Sequence, residues 1–246
     1  MIKAPTPISD SAKSHELGNL LQVSPAQRNV LSRARNFLFA GGIVTSDVLN
    51  RRVTAVHRWG DISELFLDRV CDVSYDKTAG AITSRTRHHY QATFTDSSKV
   101  AFRVSEPRIH TPLEDYAHFG PRAEERLSTA SRVTSAIETT ATTELITKVR
   151  DAFQAGEPIQ FGRFNVCSDS LTYGEDTYTP DQVISLRIAD PKPAQLSSLW
   201  QTPQQTLHST VELVYRDHND QEQSAHSPLG QVPNAGALVE LWNRVY

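Results

Sequence analysis

Two stretches of this chain align without a gap: Phe39-Ala-Gly-Gly-Ile-Val-Thr-Ser-Asp-Val-Leu49 and Phe161-Gly-Arg-Phe-Asn-Val-Cys-Ser-Asp-Ser-Leu171. Their Phe, Val, Ser, Asp and Leu positions coincide. The same order of elements then follows in each half: short strands, a late hairpin and a helix. This internal repeat predicts two halves of similar structure, in which Phe39 matches Phe161 and Val44 matches Val166.

Residues around the first stretch predict an antiparallel sheet. Apolar and polar side chains alternate in Val53–His57 and Tyr90–Phe94, as half-buried strands require. The short apolar runs Phe37–Ala40, Ile43–Thr45 and Val100–Phe102 are also predicted strands, with a turn at Asp96–Ser98. No helical crossover separates them, which favours antiparallel pairing. Before them, Ser24-Pro25 predicts a helix over residues 25–35, because serine is a common N-cap and proline suits the first helical position.

Two helical patterns frame the strands of the second half. Helical spacing covers residues 122–156, with a predicted break at the threonine-rich 139–143. Strand patterns return over 159–166, 183–188 and 210–215, and a turn at 217–220 predicts a hairpin. A final helix begins near Asn234 and carries the apolar stripe Leu238, Leu241, Trp242 and Val245. We expect Trp242, and Trp59 in the first half, to lie in the core.

Composition limits the classes of function. The chain has 246 residues, a formal net charge of −3 and a pI near 6.3, so it lacks the excess of basic residues that nucleic-acid binding requires. Two cysteines are typical of a reducing compartment rather than of a disulfide-stapled secreted protein. The sequence shows neither a signal peptide nor a run of about 18 apolar residues, so we expect a cytoplasmic protein without a transmembrane segment.

The usual signatures of catalysis and metal binding are missing from the sequence. No Gly-x-Ser-x-Gly elbow, phosphate loop, dinucleotide fingerprint or paired Cys-x-x-Cys occurs. His88 and His89 are adjacent in a predicted strand, so their side chains point to opposite faces and cannot chelate one ion together. We therefore predict no catalytic, cofactor-binding or metal-binding residue, and a protein that is not an enzyme.

The two halves differ in charge. Residues 37–110 contain ten Lys and Arg against eight Asp and Glu, whereas residues 158–246 contain five against ten. Arginine supplies forked donors that suit the oxygens of an anion, and an aromatic residue on the surface can anchor a partner. The residues that we predict to contact a partner or an anion are Arg51, Arg52, Arg85, Arg87 and Trp200.

Spaced apolar and turn residues give the chain a resemblance to a known family. They are Phe39…Gly-Ile-Val44, Arg58-Trp-Gly-Asp-Ile62, Tyr90…Phe-Thr-Asp96, Ala155-Gly-Glu-Pro-Ile-Gln-Phe161 and Val232-Pro-Asn-Ala-Gly-Ala-Leu238. Over residues 16–246 this pattern resembles a bacterial family of unknown function with tandem pleckstrin-homology-like (PH-like) domains. The resemblance implies an α+β fold of two PH-like domains, each a curved antiparallel sheet capped by a C-terminal helix.

The expected domain order follows from the repeat and from the resemblance. Residues 1–23 form a polar N-terminal extension, 24–138 the first PH-like domain with its leading helix, 139–157 a connecting helix, and 158–246 the second PH-like domain. The leading hypothesis is a non-enzymatic binding or scaffolding protein whose partner is another protein. Two alternatives remain: a peripheral membrane module that binds anionic lipid headgroups, and an enzyme whose site is assembled from distant residues.

Overall fold

The fold is that of a computed structural model of the chain. The structure describes residues 4–24, 35–47, 49–106, 108–114, 129–190 and 196–245. The helix predicted over 25–35 lies outside these ranges, except for Arg35, which begins a strand.

Within the described residues the chain forms sixteen strands. Those of the first half are β1 Leu20–Ser24, β2 Arg35–Phe39, β3 Gly42–Ser46, β4 Val53–Arg58, β5 Ile62–Asp76, β6 Ala81–Phe94, β7 Lys99–Ser105 and β8 Ile109–Pro112. Those of the second half are β9 Ile159–Phe161, β10 Phe164–Val166, β11 Leu171–Tyr173, β12 Asp176–Tyr178, β13 Val183–Ala189, β14 Gln204–His208, β15 Thr210–Arg216 and β16 Glu222–Pro228. Alternation accounts for the long β6, which buries Ile82, Tyr90 and Phe94 on one face.

The described helices are few. They are α1 Thr6–Ser14, α2 Thr129–Gln154, α3 Leu196–Gln201 and α4 Ala235–Val245, with short 3-10 turns at Trp59–Asp61 and Leu229–Gln231. The last helix begins beside Asn234, as the sequence predicts. The side-chain Oδ1 of Asn234 accepts the backbone N–H of Leu65 at 2.7 Å, which fixes the start of α4 to β5.

The strands form four small antiparallel sheets. Two are four-stranded, with the orders β1-β2-β3-β4 and β12-β11-β10-β9. The third has the order β13-β15-β16, and the largest has the order β14-β5-β6-β7, with β8 also paired to β6. The four sheets are arranged as the blades of a small four-bladed propeller.

One hydrophobic core is shared by all four sheets. It contains side chains from each of them, including Leu38, Phe94, Phe164 and Leu213. Trp59 is 0% exposed and Trp242 is 3% exposed in this core. Trp59 also donates its Nε1–H to the carbonyl of Phe39 at 3.0 Å, so its polar atom is paired. The prediction that both tryptophans are core residues is confirmed.

The expected α+β fold of two PH-like domains is wrong. The protein is mainly β, and four sheets stand in place of two capped curved sheets. Strand β14 belongs to the second half of the sequence, yet it pairs with β5 of the first half, with Leu207 opposite Cys71. Apolar alternation identifies a strand but does not say which sheet the strand joins, so the pattern alone did not predict this pairing.

Helix α2 is continuous where a break was predicted. It runs through residues 139–143, and Ala141 within that stretch is fully buried. Packing of Val133, Ile137 and Leu145 in the core outweighs the weak helix propensity of threonine. The expected boundary between residues 138 and 139 therefore lies inside a helix.

The N-terminal segment is packed against the first sheet. Helix α1 buries Ile8 and Ala12, which join Phe37 and Val44 in a second, smaller hydrophobic cluster. Strand β1 pairs with β2. The segment expected as a polar extension thus contributes both core side chains and a strand.

The two stretches that align in sequence form hairpins of equal register. Phe37 pairs with Val44 and Phe39 with Gly42 in the first hairpin. In the second hairpin the matched pairs are Ile159 with Val166 and Phe161 with Phe164. Each loop has two residues, and Gly162 supplies the positive φ of +64° that a tight turn favours.

Candidate functional site

Arginine side chains collect on the outer face of the largest sheet. Arg85 and Arg87 lie two residues apart on β6, so they point to the same side. Arg87 pairs with Ser105 on β7, and Arg103 lies two residues from Ser105, so its side chain faces the same way. His88, which follows Arg87, is 4% exposed and points to the interior.

This face of the sheet forms a cleft of ≈ 780 Å³, which we call the basic cleft. Its cationic lining residues are Lys77, Arg85, Arg87, Arg103 and Arg108, and its carboxylates are Asp72 and Asp76. Strand β14 supplies one wall, with Gln204 and Thr206. Five cationic side chains therefore face two carboxylates, because three antiparallel strands bring arginines from different parts of the sequence together.

Both carboxylates of the basic cleft already have partners. Asp72 Oδ1 accepts hydrogen bonds from Arg87 Nη2 at 2.6 Å and from Thr206 Oγ1 at 3.2 Å. Asp76 Oδ1 accepts the backbone N–H groups of Thr78 at 2.9 Å and of Ala79 at 3.2 Å, which closes the turn between β5 and β6. These acids serve the fold and leave most of the cationic charge unneutralised.

The cleft arginines have few partners within the described residues. Arg87 has its ion pair with Asp72, whereas no described carboxylate lies within 4.0 Å of Arg85, Arg103 or Arg108. Among the described residues, the buried Nε atoms of Arg85 and Arg87 have no hydrogen-bond partner, and the same holds for the ion-paired Arg69 outside the cleft. These occluded atoms therefore do not mark a ligand position, and the cationic surplus of the cleft lies in its guanidinium and ammonium groups.

The imidazole of His89 reports the positive potential of this face. Burial is the main cause that lowers the pKa of His89, and the positive charges of Arg103 and Arg87 lower it further. Asp68 and Asp72 act in the opposite direction without overcoming these effects. The same potential that disfavours a protonated histidine favours a bound anion.

The structure separates the residues that the sequence predicted as partner contacts. Arg85 and Arg87 line the basic cleft. Arg51 and Arg52 are exposed on the loop between β3 and β4, in a different sheet, and do not line it. Trp200 on α3 is 59% exposed and does not line the cleft either. The predicted set is therefore divided among three places.

The loop between β3 and β4 is held in a turn by the side chain of Asp47. Asp47 Oδ1 accepts the backbone N–H of Arg51 at 2.8 Å and of Arg52 at 3.3 Å. Asn50 adopts a positive φ of +56°, which asparagine tolerates better than most residues. Asp47 thus closes the turn before the two arginines, whose residues are exposed to solvent.

Sequence reasoning missed Arg103, Arg108 and Lys77 in the basic cleft. Their convergence with Arg85 depends on how β6 pairs with β7 and β8, which the sequence did not specify. One usable signal was present: Arg85, Arg87 and Arg103 all occupy the polar positions of alternating strands. Grouping the basic residues by that alternation would have placed the three on one face.

A second group of ionisable residues lies on the inner face of the same sheet. Tyr90 donates its hydroxyl to Glu138 at 2.8 Å, and Glu138 also pairs with Arg69 at 3.6 Å. His88 Nε2 lies 3.1 Å from Glu106 Oε1. Burial, reinforced by Glu138, raises the pKa of Tyr90 well above its ordinary value, so the phenol stays protonated. The two contacts of Glu138 tie α2 to the sheet, and the His88–Glu106 contact lies on the same inner face, away from the basic cleft.

Other chemistries receive no support from the described part of the chain. There, no group of three or more His, Cys, Asp and Glu side chains is placed to hold a metal ion. Cys71 and Cys167 are free thiols, and burial is the main cause that raises the pKa of Cys71. None of the helices within the described ranges has both the length and the apolar character needed to cross a membrane.

Comparison with known proteins adds no identity to this geometry. No protein-family model matches the chain, and no curated protein matches it. Whether the chain is related to the bacterial family with tandem PH-like domains therefore stays a prediction. The fold that this resemblance implied is wrong, because the protein has four antiparallel sheets.

Proposed function

We propose that this chain is a non-enzymatic binding protein that holds an acidic segment of a partner protein in the basic cleft. The observation that carries the proposal is the surplus of cationic side chains there, since Asp72 and Asp76 are already engaged. The neighbouring cationic side chains repel one another in the free protein, and an anionic partner relieves that repulsion.

The size of the basic cleft supports a narrow ligand. Pockets of about 300–1,000 Å³ accommodate small molecules or a few side chains, and the cleft measures ≈ 780 Å³. A few acidic side chains of an extended segment fit this space, whereas a flat protein surface does not enter it. Arginine suits the task because its planar guanidinium donates two parallel hydrogen bonds to one carboxylate.

Peripheral binding to anionic membranes is the second candidate, and one observation favours it. Leu49 is 65% exposed in the loop that also exposes Arg51 and Arg52. An apolar side chain beside two cations can lie in the lipid headgroup region, where each basic residue contributes about 1 kcal/mol. This function would use the β3–β4 loop and not the basic cleft.

The test measures binding of a short fluorescent polyglutamate peptide by fluorescence anisotropy. We expect the wild type to bind and the Arg85→Glu/Arg103→Glu variant to bind at least about tenfold more weakly, because two attractive charges become repulsive. The matched control is Arg150→Glu/Arg163→Glu, which makes the same charge change at two exposed arginines outside the cleft. Binding should also weaken as salt rises, since ions screen the attraction.

Two results would overturn the proposal. One is equal binding by the cleft variant and by the matched control, and the other is no binding of the peptide by the wild type at low salt. Sedimentation with phosphatidylserine vesicles covers the second candidate. If vesicle binding is lost in Arg51→Glu/Arg52→Glu while peptide binding is absent throughout, the membrane function replaces the first proposal.

A further inference from the structure

Strand β14 is the outermost strand of the largest sheet, where its one described neighbour is β5. Just beyond the strand, Ser209 donates its backbone N–H to the carbonyl of Arg69 on β5 at 2.9 Å. Backbone groups alternate between the two sides of a regular antiparallel strand, and β14 pairs with β5 without a register shift. The N–H and C=O groups of Gln204, Thr206 and His208 therefore point away from the sheet.

This outer edge of β14 is open. Within the described part of the chain, no hydrogen bond reaches an outward backbone group of Gln204, Thr206 or His208. All three residues are exposed to solvent. The strand contains no proline, lysine, arginine or carboxylate and no bulge, which are the usual devices that protect a sheet edge. A regular and uncharged edge of this kind is a template for another strand.

Two other outer strands are protected where β14 is not. Asn36 Nδ2 donates to the outward carbonyl of Ala101 on β7 at 3.2 Å. The hydroxyl of Tyr173 donates to the outward carbonyl of His226 on β16 at 3.0 Å. Strand β16 also ends at Pro228, which has no N–H to offer. Among these outer strands, the open edge is therefore a property of β14.

We infer that β14 pairs with the β14 strand of a second copy of this chain, in an antiparallel arrangement centred on Thr206. In this register Thr206 lies opposite Thr206 of the other copy, and Gln204 lies opposite His208. Because Gln204 and His208 are equally far from Thr206, every outward N–H meets an outward C=O. Opposed threonines form a favourable cross-strand pair. The strand has no lysine, arginine or carboxylate that would repel its own copy. One surface thus serves both copies, as a two-fold dimer requires.

Such a dimer joins the two largest sheets into one continuous sheet. Antiparallel neighbours share their faces, so both basic clefts open on the same side of the joined sheet. Since adjacent strands lie about 4.8 Å apart, the β6 strands of the two copies are separated by about 24 Å. The dimer does not depend on the acidic-segment proposal. If both hold, the protein binds its partner at two points.

Sedimentation velocity over about a hundredfold range of protein concentration tests this pairing. We expect the sedimentation coefficient of the wild type to rise with concentration toward that of a dimer, because a small interface gives a weak association. Thr206→Pro removes an outward N–H and keeps the backbone bonds of β14 to β5, so it should abolish the rise. The matched control is Ser224→Pro, which makes the same change at an exposed, outward-facing position of β16 and should leave the rise intact.

A second variant tests the pairing without altering the backbone. Thr206→Lys places two like charges opposite each other across the two copies, so it should also abolish the rise. Circular dichroism checks the fold of each variant, and the lysine variant decides the question if the proline variant is unfolded. A wild type that stays monomeric at every concentration overturns the inference, as does a dimer that persists in a folded Thr206 variant. A dimer that dissociates as salt rises is held by charges instead, and this result also overturns the pairing of β14.

Discussion

The outer face of the largest sheet and the β13-β15-β16 sheet treat charged side chains in opposite ways. In the smaller sheet, Glu212 on the central strand lies opposite Arg187 on one side and His226 on the other. Arg187 Nη2 contacts Glu212 Oε2 at 2.6 Å, and His226 Nε2 lies 3.9 Å from Glu212 Oε1. In the larger sheet, Asp72 forms an ion pair with Arg87. Arg85 and Arg103 line the same cleft without an ion pair to a described carboxylate.

The difference separates structural charge from available charge. Glu212 is only 6% exposed, so its carboxylate requires cationic partners within the fold. In the basic cleft the cations outnumber the carboxylates, and nothing in the described fold requires that surplus. A surplus that the fold does not use is a better indication of binding than the net charge of either half.

The largest expected effect concerns the core that both sheets share. Trp242→Ala should lower the free energy of unfolding by about 3–5 kcal/mol, as other buried large-to-Ala changes do, because Trp242 packs in the common cluster. Since that cluster joins the sheets, we expect a single urea transition by circular dichroism. Loss of the β13-β15-β16 sheet with retained peptide binding by the basic cleft would show instead that the two sheets are independent.

A smaller effect is expected from the buried carboxylate of the β13-β15-β16 sheet. Glu212→Gln removes the charge that Arg187 and His226 face, and should cost about 1–3 kcal/mol. Glu222→Gln on the exposed part of β16 is the control, with little expected change. Thermal unfolding measures both variants. Equal midpoints for the two would mean that Glu212 is not a structural charge.

Asp72→Asn in the basic cleft should change peptide affinity more than it changes stability. Both Asp72 and Arg87 are partly exposed, at 37% and 27% of their side chains, so stability should change by less than about 1 kcal/mol. Affinity for the acidic peptide should rise by about threefold to tenfold, because one repulsive charge is removed. Anisotropy titration provides the measurement. Weaker peptide binding by this variant would contradict the expectation that the charge of Asp72 lowers the affinity of the cleft for the acidic peptide.

The smallest expected effect is a shift in the titration of His89. Because burial, Arg103 and Arg87 lower its pKa, the folded protein favours the neutral ring. This contribution to stability is present above the unfolded value of about 6.5 and is lost as pH falls through the lower folded pKa. Arg103→Gln, or a bound acidic peptide, should raise the pKa of His89 toward 6.5. NMR titration of the imidazole protons measures the shift, and no change in either case would mean that Arg103 exerts no field there.

Local patterns predicted strands well and their assembly poorly. Val53–His57 and Tyr90–Phe94 were expected from alternation, and they lie in β4 and in the last third of the longer β6. Strand β14, Gln204–His208, escaped notice because its mostly polar side chains lie on a sheet edge and show no apolar face. The continuous α2 was also missed, since core packing decides that helix against its threonines.

The same limit applies to the candidate site. Arg85 and Arg87 were selected from the charge surplus of the first half, and they do line the basic cleft. Arg51 and Arg52 belonged to the same surplus but lie on another sheet, because sequence composition does not report which sheet a loop joins. Arg103 and Arg108 required the register of β7 and β8 against β6, which no local pattern contains.

The late position of β14 in the sequence has a consequence for protein synthesis. The hydrogen bond from Thr206 to Asp72 joins residues separated by 134 positions. A ribosome therefore releases the arginines of β6 and β7 well before the strand that walls the cleft, and the long separation delays closure. A nascent chain that ends before Gln204 carries the cations without their wall. The proposed partner binding therefore requires β14, and we expect nascent chains that lack this strand not to select a partner during translation.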